Sequence, residues 1–156
     1  MNMDIGITAE HLQAVANSLQ QLLSDEYVLY TKTRNYHWNI EGKNFMELHK
    51  FYQTQYEELD EIIDNVAERI RQIGHYAQGQ LKDFLQQTRL GETGYTSNED
   101  EQLKNLLEDH NSIIRNCRKN AEEFTDKFKD VGSTDFVTGI LEQHEKMSWF
   151  IRSYLK

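Results

Sequence analysis

No proline interrupts the 156 residues of this chain. Proline breaks a helix interior because it lacks an amide donor and clashes with the preceding turn, so its absence lets helices run long. The apolar residues are arranged accordingly. From about Ala9 to Tyr36, Leu12, Val15, Leu19, Leu22, Leu23, Tyr27 and Tyr30 share one side of a helix. From about Phe45 to Ile73 the stripe is Leu48, Tyr52, Leu59, Ile62, Ile63, Val66, Ile70 and Ile73. A third stretch, about Asn98 to Phe128, carries Leu103, Leu106, His110, Ile113, Cys117, Ala121, Phe124 and Phe128 at spacings of three and four. A fourth, about Thr134 to Leu155, repeats that rhythm with Val137, Ile140, His144, Met147, Ile151 and Tyr154. No segment alternates with a period of two, so an all-α fold is expected.

Glycines mark where the stripes stop. Gly42, Gly74 and Gly132 follow the first three helices, where a left-handed cap suits a residue without Cβ. Starts are marked by Asn44 with Glu47, by Ser97 before acidic residues, and by Ser133 before Asp135. Gly139 interrupts the last helix, and a close helix contact would account for it. The link after the first helix is short, whereas a long one separates Gly74 from Ser97, with Leu81 to Leu90 able to form a small helix of its own. One short and one long connection predict a four-helix bundle with a crossover, the ferritin-like topology. The length suits one domain spanning residues 1–156, and no repeat or linker divides it.

Charge and composition exclude several classes of function. Acidic residues number 26 against 17 basic, a formal net charge of −9, which disfavours a generic binder of phosphate backbones. The lone cysteine, Cys117, cannot build an internal disulfide and fits a reducing compartment. No apolar run reaches the roughly 18 residues of a membrane span and no secretory leader opens the sequence, so a cytoplasmic location is expected.

Chemistry centres on two histidines and two carboxylates. His37 ends the first helix in NYHWN, and His49 lies one turn into the second in MELHK. Asp64 and Glu68 stand four apart on one helix face. Imidazole with carboxylate suits an iron-type divalent ion. A hairpin brings His37 and His49 to the same end of the bundle. Asp64, however, lies fifteen residues beyond His49, roughly 22 Å along a helix, and no single ion with bonds of about 2 Å bridges that gap. Either the pairs are unrelated, or a second chain related by a two-fold axis brings its carboxylates to the histidines.

The stretch from Asn35 to Gly74 resembles the signature of the Dps family, the DNA-protection-during-starvation miniferritins. The His37–Trp38 pair, the turn Gly42-x-x-Phe45-x-x-Leu48-His49 and the face Asp64-x-x-Ala67-Glu68-Arg69 match in order and spacing. HEKMSWF, His144 to Phe150, adds a weaker match. The resemblance implies a homo-oligomer, a hollow dodecameric shell that stores ferric mineral. It implies ferroxidase centres across dimer interfaces, able to hold two irons, that oxidise Fe(II) with hydrogen peroxide in preference to dioxygen. His37 and His49 would come from one subunit, Asp64 and Glu68 from its partner, with Trp38 beside the centre to intercept radicals. The family often carries a further acid one turn after the second histidine; here that position is Gln53, which weakens a second iron position. Asp135, with Asp126 and Asp130 nearby, matches the acidic residues that line the family's iron-entry pores.

Other residues carry plainer readings. His110 and His144 fall on apolar stripes and are expected to be buried, hydrogen-bonded histidines, because the Glu-x-x-His pattern of a di-iron site within one bundle is missing. Cys117 reads as a small buried hydrophobe, and His11 and His75 as surface residues. The alternative function is DNA compaction. The first basic residue is Lys32 and the overall charge is negative, so DNA binding is not expected.

Overall fold

The computed structural model describes residues 3–156, which form five helices: α1 Ala9–Asn39, α2 Phe45–Gln72, α3 Leu81–Gln87, α4 Glu99–Asp126 and α5 Val131–Tyr154. Helices α1, α2, α4 and α5 make the four-helix bundle, and α3 lies in the crossover between α2 and α4. The bundle is two hairpins, α1 against α2 and α4 against α5, joined by sparser contacts between α1 and α4 and between α2 and α5. Each stripe faces inward: Val15, Leu19, Leu22 and Leu29 of α1 meet Leu48, Leu59 and Val66 of α2, all fully buried.

A crossover this long needs anchors, since unpaired backbone polar groups are costly to bury. Helix α1 supplies them from a second, polar row. Gln20 bonds the backbone of Gln78 in both directions, at 3.0 and 2.9 Å. Asp25 accepts from Thr88 Oγ1, from Arg89 N and from the Arg89 guanidinium, at 2.6 to 2.8 Å. Lys32 donates to Gly91 O at 2.7 Å and pairs with Asp109 of α4 at 2.5 Å. Burial raises the Asp109 pKa more than Lys32 lowers it. Asp25 also explains why α3 stops at Gln87 instead of reaching Leu90. It captures the Arg89 amide, while Thr88 adopts an extended conformation.

Four expected termini differ in the structure. Asn44 does precede α2 but makes no capping bond; its amide donates instead to the Glu99 carboxylate at 2.9 and 3.1 Å. Asn98, not Ser97, caps α4 by accepting from Glu101 N. At the α4–α5 turn the left-handed residue is Lys129, with φ 58°, and Gly132 already lies in α5. A Cβ at Gly132 would stand 2.9 Å from an Arg69 guanidinium nitrogen, so the arginine tip would have to shift. Asp130, not Ser133, caps α5, accepting from Ser133 N at 2.9 Å and Ser133 Oγ at 2.6 Å. Gly139 meets no close neighbour within the chain, contrary to the expected helix contact. Gly42 and Gly74 hold the left-handed conformations expected of them, with φ 129° and 86°.

Candidate metal centre

The short α1–α2 link turns at Gly42 and sets the last turn of α1 beside the second turn of α2. His37 and His49 therefore meet: their rings stack with centroids 3.8 Å apart and planes 13° from parallel. The α1 terminus leaves the His37 carbonyl without its usual helical partner, because Glu41 N turns away to Ser97 O. His49 Nδ1 supplies the missing donor at 2.7 Å, and His37 Nδ1 donates to the His49 carbonyl at 2.5 Å.

This reciprocal pair decides the tautomers. A carbonyl only accepts, so each Nδ1 carries the proton and each neutral ring keeps its lone pair on Nε2. Backbone carbonyls bonded to Nδ1 are the usual second layer behind a metal-binding histidine. Neither Nε2 is hydrogen-bonded to a described residue, and His37 is only 7 % exposed. Phe45 stacks on His49 at 5.1 Å, while Tyr56 stands edge-on to His37 at 5.2 Å. Trp38, 63 % exposed, lies beside the pair, and the Arg34 guanidinium covers its ring at 5.4 Å and that of Tyr56 at 4.8 Å.

Asp64 and Glu68 are exposed on one face of α2. Asp64 lines a shallow cleft with Asp60, Glu61, Ile63 and Ala67. Gln53, half-buried one turn after His49, donates to Glu57 at 2.8 Å. Within the described residues of one chain, no three histidine, cysteine or acidic side chains converge to hold an ion. The fold thus unites the histidines with each other but leaves the carboxylate pair elsewhere on α2.

Of the acidic residues at the α4–α5 turn, Asp126 and Asp135 are exposed. Asp130 is 2 % exposed and committed to capping α5, with the Arg69 guanidinium 3.6 Å away. His110 and His144 are buried, as their stripe positions required. What the sequence hid is that they bond each other and reach Glu26 of α1. Burial pushes the Cys117 thiol pKa up, which keeps it protonated and inert. His11 is half-buried against Phe128, and His75 is also half-buried.

The bundle and the paired histidines define a ferritin-like protein, and the ferritin-like domain family matches residues 16–156. The chain belongs to that family. Within it, the chain is a Dps miniferritin. It is 31% identical over 149 residues to the DNA protection during starvation protein of Porphyromonas gingivalis, covering 96% of this chain and 93% of that one. It is 41% identical over 155 residues to an uncharacterised low-temperature-induced protein of Nostoc sp., covering 99% and 87%. A Dps protein from Vibrio cholerae O1, described as a member of a broad superfamily of ferritin-like diiron-carboxylate proteins, superposes with a TM-score of 0.94 at 27% identity, over 100% of this chain and 98% of that one. No described helix is long and apolar enough to cross a membrane.

Proposed function

We propose that the protein is a ferroxidase and iron store whose centres form between two copies of the chain. The reciprocal carbonyl bonds of His37 and His49 carry this reading, because they aim two unprotonated Nε2 atoms outward together. Two nitrogens leave an iron coordination set short of its oxygen ligands. The unpartnered Asp64–Glu68 face supplies hard oxygen ligands for the ferric product, and a two-fold axis supplies the meeting. Each such dimer holds two equivalent centres, each with histidines from one chain and carboxylates from the other.

Fe(II) is the substrate. His37 and His49 bind it through Nε2 while Nδ1 keeps its proton, donated to the carbonyl, so the rings neither flip nor gain a charge. Two Fe(II) ions each give up one electron, and one hydrogen peroxide accepts both as its O–O bond breaks. Water then hydrolyses the ferric ions, releasing protons as ferric oxyhydroxide forms. Pairing the electrons avoids hydroxyl radical, and Trp38 takes up a stray oxidising equivalent. Gln53 offers an amide where an acid would bind more firmly, so the second iron is held weakly. In a dodecameric shell, Asp126 and Asp135 would concentrate cations at the entry pores. The net charge of −9 argues against DNA as a principal partner.

Anaerobic loading with Fe(II) followed by peroxide tests the reading. Two irons oxidised per peroxide, in an assembly of native mass near twelve chains, is the expected result. Failure to oxidise iron faster than buffer overturns it.

A further inference from the structure

The bundle interior holds a chain of three ionisable side chains from three different helices. Glu26 of α1, His110 of α4 and His144 of α5 are each 0 % exposed. Glu26 Oε1 lies 2.7 Å from His144 Nε2, and His144 Nδ1 lies 2.8 Å from His110 Nδ1. The ends, Glu26 Oε2 and His110 Nε2, are buried without a hydrogen-bond partner. Three ionisable groups buried in the bundle core are costly unless the arrangement has a use.

Their geometry restricts the proton count. A carboxylate accepts, so His144 Nε2 carries a proton toward Glu26. The Nδ1–Nδ1 contact then needs one proton, not two. When the histidine pair carries one net positive charge, the contact is a single N–H···N bond and the buried carboxylate has its counter-charge. A further proton on His110 would place two N–H groups head to head at 2.8 Å and bury a second cation. The bond fails at that point.

The location gives the failure a consequence. Packing within each hairpin is dense, while the hairpins meet through sparser contacts. The Glu26–His144 bond ties α5 of one hairpin to α1 of the other, and His110 braces it from α4. We propose that Glu26, His144 and His110 form a proton-gated latch between the two hairpins, closed while His110 is neutral and opened by a second proton.

Among the neighbouring groups Asp109 offers a second acid response, since burial raises its pKa, but that response acts through Lys32 and persists in a His110 variant. On the α1 side Asp25 is held by Arg89, and Lys32 is paired with Asp109 of α4. Cys117 is the nearby ionisable group on α4 and stays a thiol. From α2 the buried Gln55 donates to the Met147 carbonyl, and it does not titrate. Burial, reinforced by the proximity of His144, lowers the His110 pKa well below its ordinary value. A depressed histidine contributes stability that is complete above the unfolded value of about 6.5 and is lost as pH falls below it. The latch therefore loosens in acid, independently of any iron chemistry.

Hydrogen exchange read by mass spectrometry on the whole assembled protein tests the latch. Rates at pH 7.5 to 5.0 are corrected for intrinsic exchange, and peptides from the middles of α1 and α5 are followed, away from His37 and His49. Opening of these segments in the wild type is expected to rise about tenfold per pH unit below about 6.5, the slope of one proton. His110→Phe and His110→Gln should both flatten that slope, whereas His11→Gln with His75→Gln should retain it. A pH-independent wild type overturns the latch. So does an undiminished slope in a folded His110 variant, or loss of the slope in the His11 and His75 variant.

Discussion

The histidines at the hairpin end and those in the bundle core are both close pairs, but they dispose of their nitrogens in opposite ways. His37 and His49 turn Nδ1 toward backbone carbonyls and leave Nε2 free at the rim. His110 and His144 turn Nδ1 toward each other, and His144 uses Nε2 on Glu26. The first arrangement fixes ring orientation without using Nε2, because the His37 carbonyl is spare at the end of α1 and the His49 carbonyl has a second lone pair to offer. The second uses side-chain nitrogens as structural connectors in a place no ion reaches. Ring proximity alone therefore does not identify a metal centre; the pairs differ in whether their unbonded nitrogens lie at the rim or are sealed in the core.

Substitutions can break this contrast. The largest effect is expected from Glu26→Ala, which strands the buried histidine charge and should lower stability by about 3–5 kcal/mol in denaturant titration. Its iron oxidation per folded molecule should be unchanged. His37→Ala with His49→Ala should do the reverse. Peroxide-driven iron oxidation should fall at least about 100-fold in stopped-flow absorbance, with a smaller stability loss of about 1–3 kcal/mol from the missing carbonyl bonds.

The acidic residues of the α4–α5 turn sharpen the same division. Asp130→Ala removes a buried cap and should cost about 1–2 kcal/mol, leaving iron entry unaffected. Asp135→Ala should leave stability nearly unchanged and slow mineral formation by a few-fold at low ionic strength, an effect that salt erases. Smallest of all, Gln53→Asp should tighten the second iron by a few-fold, seen as a steeper second step in anaerobic Fe(II) titration.

The architecture was legible because the apolar stripes are long and no proline interrupts them. The meeting of His37 with His49 was legible for a related reason, since a short link between long helices leaves one geometry. Capping was read less well. Asn44, Ser133 and Gly132 have suitable chemistry, but Glu99, Asp130 and Arg69 compete for them, and the first and last of these come from other helices. The buried polar row of α1 was invisible for the same reason. Gln20, Asp25 and Lys32 look like solvated positions until the crossover, some 58 to 64 residues later, folds back onto them. Glu26 is an extreme case, with its partner His144 lying 118 residues away.

The central claim is that each iron centre combines histidines of one chain with carboxylates of another. It is tested most directly by co-assembling two variants that are each inactive, His37→Ala/His49→Ala and Asp64→Asn/Glu68→Gln. In a mixed dimer one centre loses all four ligands while the other keeps all four. Random mixing in equal amounts should thus restore about a quarter of the wild-type rate of peroxide-driven iron oxidation. A mixture as inactive as its two components would contradict the account.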